Sequence, residues 1–291
     1  MELTSFVKQG KEQAFRPVFG SVAELLEHHA EKFGEKEAIV GVNVDAGESS
    51  VISYEKLFEM AVKTANFLFA KGIRKGDRVA FLFHNTPEIL ILELACGLLG
   101  ASCVPLDMKR DTPERKTFKL KDSDVKMCFE DEKEILRGIQ DQPSAPEFPV
   151  ADSIGNEYVL LYTSGTTANP KGVPLSLRAF FANAQGIIEW QKLSSEDHFL
   201  IVLPLHHVNS TTMSLATLLA GGTIILASRY SVSKFWDIIA DHRATITSVV
   251  PTVLHDLLGR KEEFFAKPRD LTTLKRILVG SAPVLPEETM R

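Results

Sequence analysis

The 291-residue sequence lacks several features that mark whole classes of protein. Its net charge is −5 and it has no basic block, which argues against nucleic acid as its main partner. The N-terminal segment lacks the apolar core of a signal peptide. The longest apolar stretch, residues 89–106, is interrupted by Glu93, Gly97, Gly100 and Pro105. We therefore interpret it as a helix followed by a strand, and we predict no transmembrane segment.

Cysteine is also scarce. The 3 cysteines, Cys96, Cys103 and Cys128, are odd in number and do not have the spacing of metal ligands. This usage fits a reducing compartment better than a disulfide framework. We expect a cytoplasmic protein, and the sequence assigns no metal ligands.

The composition that remains is ordinary for a globular protein, with 44% hydrophobic and 24% charged residues. A chain of this length is near the upper limit for one hydrophobic core, so one core and two lobes both fit. Strand and helix patterns alternate with short connections from Ser53 onward. This alternation predicts an α/β fold with parallel strands that are covered by helices on both faces.

Local signals predict individual elements. Ser21 with Glu24 three residues later is a capping-box pattern, which predicts a helix that continues to Phe33. We expect the adjacent His28 and His29 on this helix to be solvated. We also expect a turn at residues 45–50, a helix that begins at Ser210, a helix capped by Ser231 or Ser233, and a charged surface connection at residues 261–273.

The stretch from Tyr158 to Val173 carries the strongest chemical signal. An apolar run predicts a buried strand, and hydroxyl residues, glycines, Pro170 and Lys171 follow it. Glycine lets the backbone approach an anion, N–H and hydroxyl groups donate to phosphate oxygens, and lysine adds a positive charge. The Gly-Lys-Ser/Thr order of the common P-loop is absent. The alternative is an ordinary surface loop, but the ordered combination favours a polyphosphate site.

The segment YTSGTTANPKGV, residues 162–173, resembles the phosphate-binding signature of the acyl-adenylate-forming, or AMP-binding, superfamily. This superfamily includes acyl-CoA synthetases such as long-chain fatty acid–CoA ligases, aryl-CoA ligases, luciferases and adenylation domains. The resemblance runs from near residue 20 to the last residue. It implies two stacked lobes of mostly parallel sheets flanked by helices. The lobes would span roughly residues 50–190 and 191–291, with residues 20–50 packing on the second.

The resemblance also implies the residues that bind ATP. Lys171 and Thr166 are catalytic candidates in the loop. The β- and γ-phosphates would be held by Thr163, Ser164, Gly165, Thr166, Thr167 and Lys171. A later segment resembles the part of the family that contacts adenine, and it consists of Gly280, Ser281, Ala282 and Pro283. Taken alone, this segment is a weak signal, because any turn after a strand could have such a sequence. Its position after the other motifs, in the order of the family, supports the match.

A third segment, Leu203–Ser210, follows a predicted strand, at the position where ligands gather in open parallel sheets. From the residues alone, one histidine of the pair would be a hydrogen-bonded core residue and the other solvated. The resemblance to CoA ligases implies that His207 borders the substrate carboxylate, as a third catalytic candidate. The segment lacks the aspartate with which amino-acid adenylation domains hold an amine. It also has Asn209 and Ser210 where many relatives have a glycine.

The resemblance implies a reaction in two steps. A carboxylic acid, fatty or aryl, attacks ATP to give an acyl-adenylate, and the thiol of CoA then displaces AMP, with Mg²⁺ neutralising the phosphates. The family's Tyr-Gly-x-Thr-Glu and Thr-Gly-Asp segments and its lysine-bearing C-terminal domain are not found before Arg291. We therefore expect a partial N-terminal AMP-binding domain, residues 1–291, that binds nucleotide weakly at best and does not catalyse by itself.

Two other classes of function are open. A non-catalytic module that binds a nucleotide, an acyl ligand or a partner chain is favoured by the missing lysine-bearing part. The surface left uncovered there would support self-association. A different ATP enzyme, such as a kinase, is disfavoured because both the P-loop and the kinase glycine-rich loop are absent. Residues 79–106, which include Asn85, also resemble the family, and we interpret them as structural.

Overall fold

The computed structural model of the chain describes residues 15–163 and 170–282. The helices within these residues are α1 (Val22–Phe33), α2 (Tyr54–Ala70), α3 (Pro87–Leu99), α4 (Pro113–Asp122), α5 (Glu132–Gly138), α6 (Leu177–Gln191), α7 (Val208–Leu219), α8 (Phe235–Asp241), α9 (Pro251–Gly259) and α10 (Lys261–Ala266). The strands are β1 (Glu37–Asn43), β2 (Glu48–Ser53), β3 (Arg78–Phe81), β4 (Ser102–Pro105), β5 (Val125–Phe129), β6 (Glu157–Tyr162), β7 (Gly172–Ser176), β8 (His198–Ile201), β9 (Thr223–Ala227), β10 (Ile246–Val249) and β11 (Arg276–Val279).

The strands form two sheets. The larger sheet has the order β11-β10-β8-β9-β1-β2, and the smaller has the order β5-β3-β4-β6-β7. Neighbouring strands are parallel except for the pairs β1–β2 and β6–β7, which are antiparallel and place β2 and β7 at sheet edges. Helices flank both sheets. The predicted α/β fold with mostly parallel sheets is therefore confirmed.

Both antiparallel edge strands are missing from the sequence-based prediction. The turn expected at residues 45–50 is shorter, because β2 already begins at Glu48, and Gly47 turns the chain with a φ of 71°. Most side chains of β2 are exposed. β7 contains Pro174, which lacks an N–H for the ladder and is tolerated at a sheet edge. Neither strand therefore shows the apolar pattern of a buried strand.

Several helices begin where the sequence predicts. Ser21 Oγ accepts a hydrogen bond from the backbone N–H of Glu24 at 3.1 Å, which is the expected N-cap. α7 is different, because it begins at Val208 while the hydroxyl of Ser210 donates to the carbonyl of Leu203 at 3.1 Å. A further prediction is wrong, because α8 follows Lys234 without a side-chain cap from Ser231 or Ser233. The connection at residues 261–273 is mostly exposed, as expected, and it contains the short helix α10.

α3 is the central helix of the fold. It is almost entirely buried and contacts β1 of the larger sheet as well as β4 and β6 of the smaller one. A Cβ atom on Gly97 would lie 2.6 Å from Val22 Cγ2, so the missing side chain lets α1 pack closely against α3. Burial raises the pKa of Glu93 in this helix to about 8, which favours its neutral form at pH 7. None of the helices in the described part of the chain is long and apolar enough to cross a lipid bilayer.

His29 is buried, so the prediction that both histidines of α1 are solvated is wrong for one of them. The centroid of its ring lies 5.4 Å from that of Phe19, 5.2 Å from that of Phe33 and 5.4 Å from that of Tyr54. Burial lowers the pKa of His29 to about 4. His28, one position earlier on the helix, is exposed. Adjacent helical residues point in different directions, and the direction of the core decides which one is buried.

We expect His29 to make the fold sensitive to acid. Its pKa of about 4 in the folded state lies below the ordinary value of 6.5. As the pH falls, His29 therefore binds a proton in the unfolded chain before it does so in the folded chain. The contribution of neutral His29 to stability is present above pH 6.5 and is lost as the pH falls toward 4. The parent should lose unfolding free energy between about pH 7 and about pH 4. In His29→Phe this loss should be smaller by about 2–3 kcal/mol. Urea unfolding at the two pH values measures this loss.

His28→Gln is the matched control for His29→Phe, since it changes the exposed neighbour on the same helix. The control should lose as much stability in acid as the parent. The same acid loss in His29→Phe and the parent would show that another group causes the sensitivity.

Candidate functional site

The polar residues of the candidate site lie where parallel strands of both sheets end. β4 leads into Asp107, β6 leads into Thr163, and β8 leads into the loop that contains His206 and His207. The carboxyl ends of parallel strands are the usual place for a ligand in α/β sheets. The two sheets bring these ends together, although the segments are far apart in the sequence.

A cleft of about 450 Å³ lies between these strand ends. Its walls come from both sheets, and they combine two histidines, two aspartates and three basic side chains. The lining residues are Pro105, Asp107, Arg110, Asp111, Arg115, Lys119, Tyr162, Thr163, His206 and His207. The cleft is therefore polar and charged, as a site for an anionic ligand requires.

The predicted phosphate loop begins and ends on the hydrogen-bonded strands β6 and β7. The backbone N–H of Thr163 donates to the carbonyl of Lys171 at 3.0 Å, and the N–H of Lys171 donates to Thr163 Oγ1 at 3.3 Å. Both residues are exposed, and Thr163 lines the cleft. The predicted site residues Ser164, Gly165, Thr166 and Thr167 lie outside the described residues. The two ends of the loop are thus fixed beside the cleft.

The histidine pair faces Asp107. His206 Nε2 lies 3.4 Å from Asp107 Oδ2, and the ring centroids of His206 and His207 are 4.4 Å apart. Burial lowers the pKa of His206 to about 4 and also lowers the pKa of His207. Burial opposes ionisation of Asp107, but the N–H groups of Lys109 and Arg110 donate to its carboxylate and lower its pKa. At neutral pH the site therefore holds two neutral imidazoles beside one carboxylate.

Asp107 and the basic side chains are site residues that the sequence-based prediction missed. Lys119 Nζ lies 2.7 Å from the fully buried carboxylate of Asp111, and Arg115 Nε lies 3.8 Å from the same carboxylate. Arg110 is mostly exposed at the rim. The sequence offers one signal for these residues: a charged segment follows the strand that ends at Pro105.

Asn85 holds the histidine loop in place. Its Oδ1 accepts a hydrogen bond from the N–H of Leu205 at 2.8 Å, and its Nδ2 donates to the carbonyl groups of Leu203 at 2.9 Å and Ala227 at 3.3 Å. The side chain is buried. Since Leu205 directly precedes His206, the amide fixes the backbone from which both histidines project.

The predicted adenine segment lies at the same edge of the larger sheet as the histidine loop. Gly280 continues the ladder, because its N–H donates to the carbonyl of Val249 at 3.1 Å. Among the described residues, no atom lies within 4 Å of a Cβ atom built on Gly280. Ser281 and Ala282 are exposed, and Pro283 lies outside the described residues. β10 separates β11 from β8, which places this segment about 10 Å from the histidine strand.

Comparison with known proteins identifies the family. A family model described as AMP-binding enzyme matches residues 26–291. The chain belongs to the AMP-binding enzyme family. The predicted resemblance is therefore confirmed. The three cysteines of this AMP-binding chain are free thiols.

Curated proteins similar to this AMP-binding chain are CoA ligases and synthetases. Feruloyl-CoA synthase of Amycolatopsis sp is 31% identical over 254 residues, which cover 81% of this chain and 50% of that protein. 2-Succinylbenzoate–CoA ligase of Bacillus velezensis is 31% identical over 255 residues, with coverage of 81% and 50%. Indoleacetate–CoA ligase of Aromatoleum aromaticum is 31% identical over 272 residues, with coverage of 82% and 52%. The chain spans about half the length of these relatives.

Solved structures share the fold of this AMP-binding chain. O-succinylbenzoate coenzyme A synthetase from Bacillus subtilis, in complex with AMP, has a TM-score of 0.78 and 26% identity over 91% of this chain and 55% of that chain. The inhibitor-bound N-terminal domain of FACL13 from Mycobacterium tuberculosis has a TM-score of 0.81 at 24% identity, over 93% of this chain and 72% of that chain. At 24% identity, the likeness to the FACL13 domain shows a shared fold.

Proposed function

We propose that this chain is the N-terminal part of an ATP-dependent acid–CoA ligase. The reaction joins a carboxylic acid, fatty or aryl, to the α-phosphate of ATP and then transfers the acyl group to CoA. The observation that carries this proposal is that Thr163, which pairs with Lys171, and His207 line one cleft between the two sheets. The proposed phosphate-binding side and the proposed carboxylate-binding side would thus line the same cleft.

The roles of the residues follow from their positions. Lys171 and the hydroxyl groups of the phosphate loop, Thr163, Ser164, Thr166 and Thr167, would hold the β- and γ-phosphates, and magnesium that arrives with the nucleotide would neutralise their charge. His207, at the rim of the cleft, would orient the carboxylate. Since Gly280 has no side chain, a flat adenine ring would be able to lie against its backbone. Catalysis here rests on positioning and on charge stabilisation.

The chain is proposed to be incomplete as an enzyme. It spans about half of its curated relatives, and the smaller sheet and the larger sheet would form two lobes of one N-terminal domain. The lysine-bearing C-terminal domain would complete the reaction, so the chain alone is expected to bind nucleotide without forming an acyl-adenylate. Free cysteines, two of them buried, are consistent with a cytoplasmic protein.

Calorimetric titration with Mg-ATP tests the proposal. We expect the chain to bind weakly and Lys171→Ala to weaken binding about tenfold, because one charge-assisted contact to phosphate is lost. Lys71→Ala is the matched control, since Lys71 is also exposed but follows α2 and precedes the amino end of β3. Equal binding by the parent and Lys171→Ala would contradict the assigned role. Release of AMP by the chain with acid and CoA would contradict its incompleteness.

A second candidate is a module that binds a partner chain instead of catalysing. Phe265 on α10 is 79% exposed and its ring centroid lies 5.0 Å from that of Phe264. The exposed ring of Phe265, beside the half-buried Phe264, favours a covered surface in a larger assembly or in self-association. Mg-ATP binding that depends on Lys171 favours the ligase over this alternative.

A further inference from the structure

We propose that Asp107, His206 and His207 form a binding site for a transition metal ion of the zinc type. The three side chains each offer one ligand atom, and these atoms all lie within 4.8 Å of one another. The ion would lie at the wall of the cleft. The site would share His207 with the carboxylate side of the proposed function and no residue with its phosphate side. The sequence predicts no metal ligands, and in it Asp107 is distant from both histidines.

One pair of ligand atoms already has the spacing of a tetrahedral ion. Ligands at about 2.0–2.1 Å from zinc are about 3.3–3.4 Å apart in a tetrahedron. His206 Nε2 and Asp107 Oδ2 lie 3.4 Å apart without any adjustment. The ligand atom of His207 lies within 4.8 Å of the other two, and a rotation of its exposed ring would bring it to the tetrahedral spacing. Three protein ligands with a fourth position open to the cleft is the arrangement of zinc sites that exchange a small ligand.

The ligands are held before an ion arrives. Lys109 and Arg110 donate backbone N–H groups to Asp107 Oδ1 at 2.9 and 3.2 Å, which leaves Oδ2 toward the histidines. On the other side, the N–H of His207 donates to the carbonyl of Pro204 at 3.1 Å, and Asn85 fixes Leu205. Outer-shell hydrogen bonds of this kind orient metal ligands and strengthen binding.

The ligand set determines the class of metal. Two imidazoles and one carboxylate suit Zn²⁺ and other late first-row metals, whereas Mg²⁺ prefers an all-oxygen octahedron. The proposed site is therefore distinct from the position of the magnesium ion that would accompany the nucleotide. Arg110 Nε lies 3.9 Å from Asp107 Oδ2, but its side chain is 67% exposed and is free to turn into solvent when an ion binds.

Titration of the metal-stripped chain with Zn²⁺, in the absence of ATP and acid, tests this inference separately from the proposed function. We expect one equivalent of Zn²⁺ to bind, at least tenfold more tightly than Mg²⁺. His207→Ala and Asp107→Asn should each weaken Zn²⁺ binding at least tenfold, because each removes or weakens a ligand. His207 is exposed and Asp107→Asn keeps the side-chain shape, so both variants should fold, which circular dichroism verifies.

His242→Ala is the control for general histidine binding, because His242 follows α8 and precedes the amino end of β10. This variant should bind Zn²⁺ like the parent. Absorbance of bound Co²⁺ supplies a second measurement, with an intense tetrahedral spectrum expected only when both His207 and Asp107 are intact. No binding by the parent, or Zn²⁺ binding that is unchanged in both site variants, would overturn the inference while leaving Mg-ATP binding unaffected.

Discussion

Replacing Gly221 with alanine is expected to lower the free energy of unfolding by about 2–5 kcal/mol. Gly221 follows α7 with a φ of 73°, where an L-residue with a side chain is strained. A Cβ atom there would lie 2.3 Å from Phe33 Cε2 and 2.4 Å from Phe33 Cζ. The Phe33 ring has little room to move, since it packs against His29 and Tyr54. The cost of the backbone strain and the cost of the close contact with Phe33 therefore add.

Gly47→Ala separates the two causes. Gly47 has a nearly equal φ of 71°, but no atom of the residues that the structure describes lies within 4 Å of a Cβ atom built there. This variant should lose only the backbone strain, about 1–2 kcal/mol. Urea unfolding of both variants gives the comparison. In a Phe33→Leu background the additional loss from Gly221→Ala should shrink, and equal losses at Gly221 and Gly47 would show that the contact with Phe33 is unimportant.

Asn85→Ala is expected to destabilise the fold by about 3–5 kcal/mol and to displace the histidine loop. The truncation leaves one N–H and two carbonyl groups, of Leu205, Leu203 and Ala227, without the amide that now pairs with them. Unpaired buried polar groups are costly, and Asn85 lies in the buried interior. The backbone that carries His206 and His207 should therefore shift.

Asn66→Ala is a matched control for this prediction. Asn66 is also buried, donates to the carbonyl groups of Pro143 and Ala145 at 2.9 Å each, and accepts from the N–H of Glu147 at 2.8 Å. Both variants should lose similar stability in urea unfolding. NMR resonances of the His206 and His207 rings should change in Asn85→Ala and not in Asn66→Ala. Unchanged ring resonances in Asn85→Ala would limit Asn85 to a structural role.

Much of the fold can be predicted because the signals are local. The side-chain hydroxyl groups of Ser21 and Ser53 cap their helices. Gly100 ends α3 in the left-handed conformation, which a residue without a side chain adopts easily. The edge strands β2 and β7 could not be predicted in this way. Their pairing depends on β1 and β6, while their own side chains are polar, exposed or include proline.

The candidate site was predictable only where a motif identifies it. The loop with Lys171 was found by its ordered hydroxyl, glycine, proline and lysine residues and by its resemblance to a family. The role of His207 follows from the resemblance alone, and both roles stay predictions. Asp107 and Lys119 reach the cleft through the ends of different elements, so no spacing in the sequence connects them with His206. The burial of His29 was equally invisible, because two adjacent histidines do not show which one faces the core.

The pairing of β1 with β9 constrains the order in which the molecule can be assembled during synthesis. The smaller sheet is contiguous in the sequence, since all its strands lie between Arg78 and Ser176. In the larger sheet, β1 has β2 as its early neighbour, but its other neighbour, β9, ends at Ala227. A ribosome therefore releases the whole smaller sheet before the β1–β2 hairpin can be enclosed. Until then the apolar strand β1 has one unpaired edge, at which it is open to chaperones or to other nascent chains.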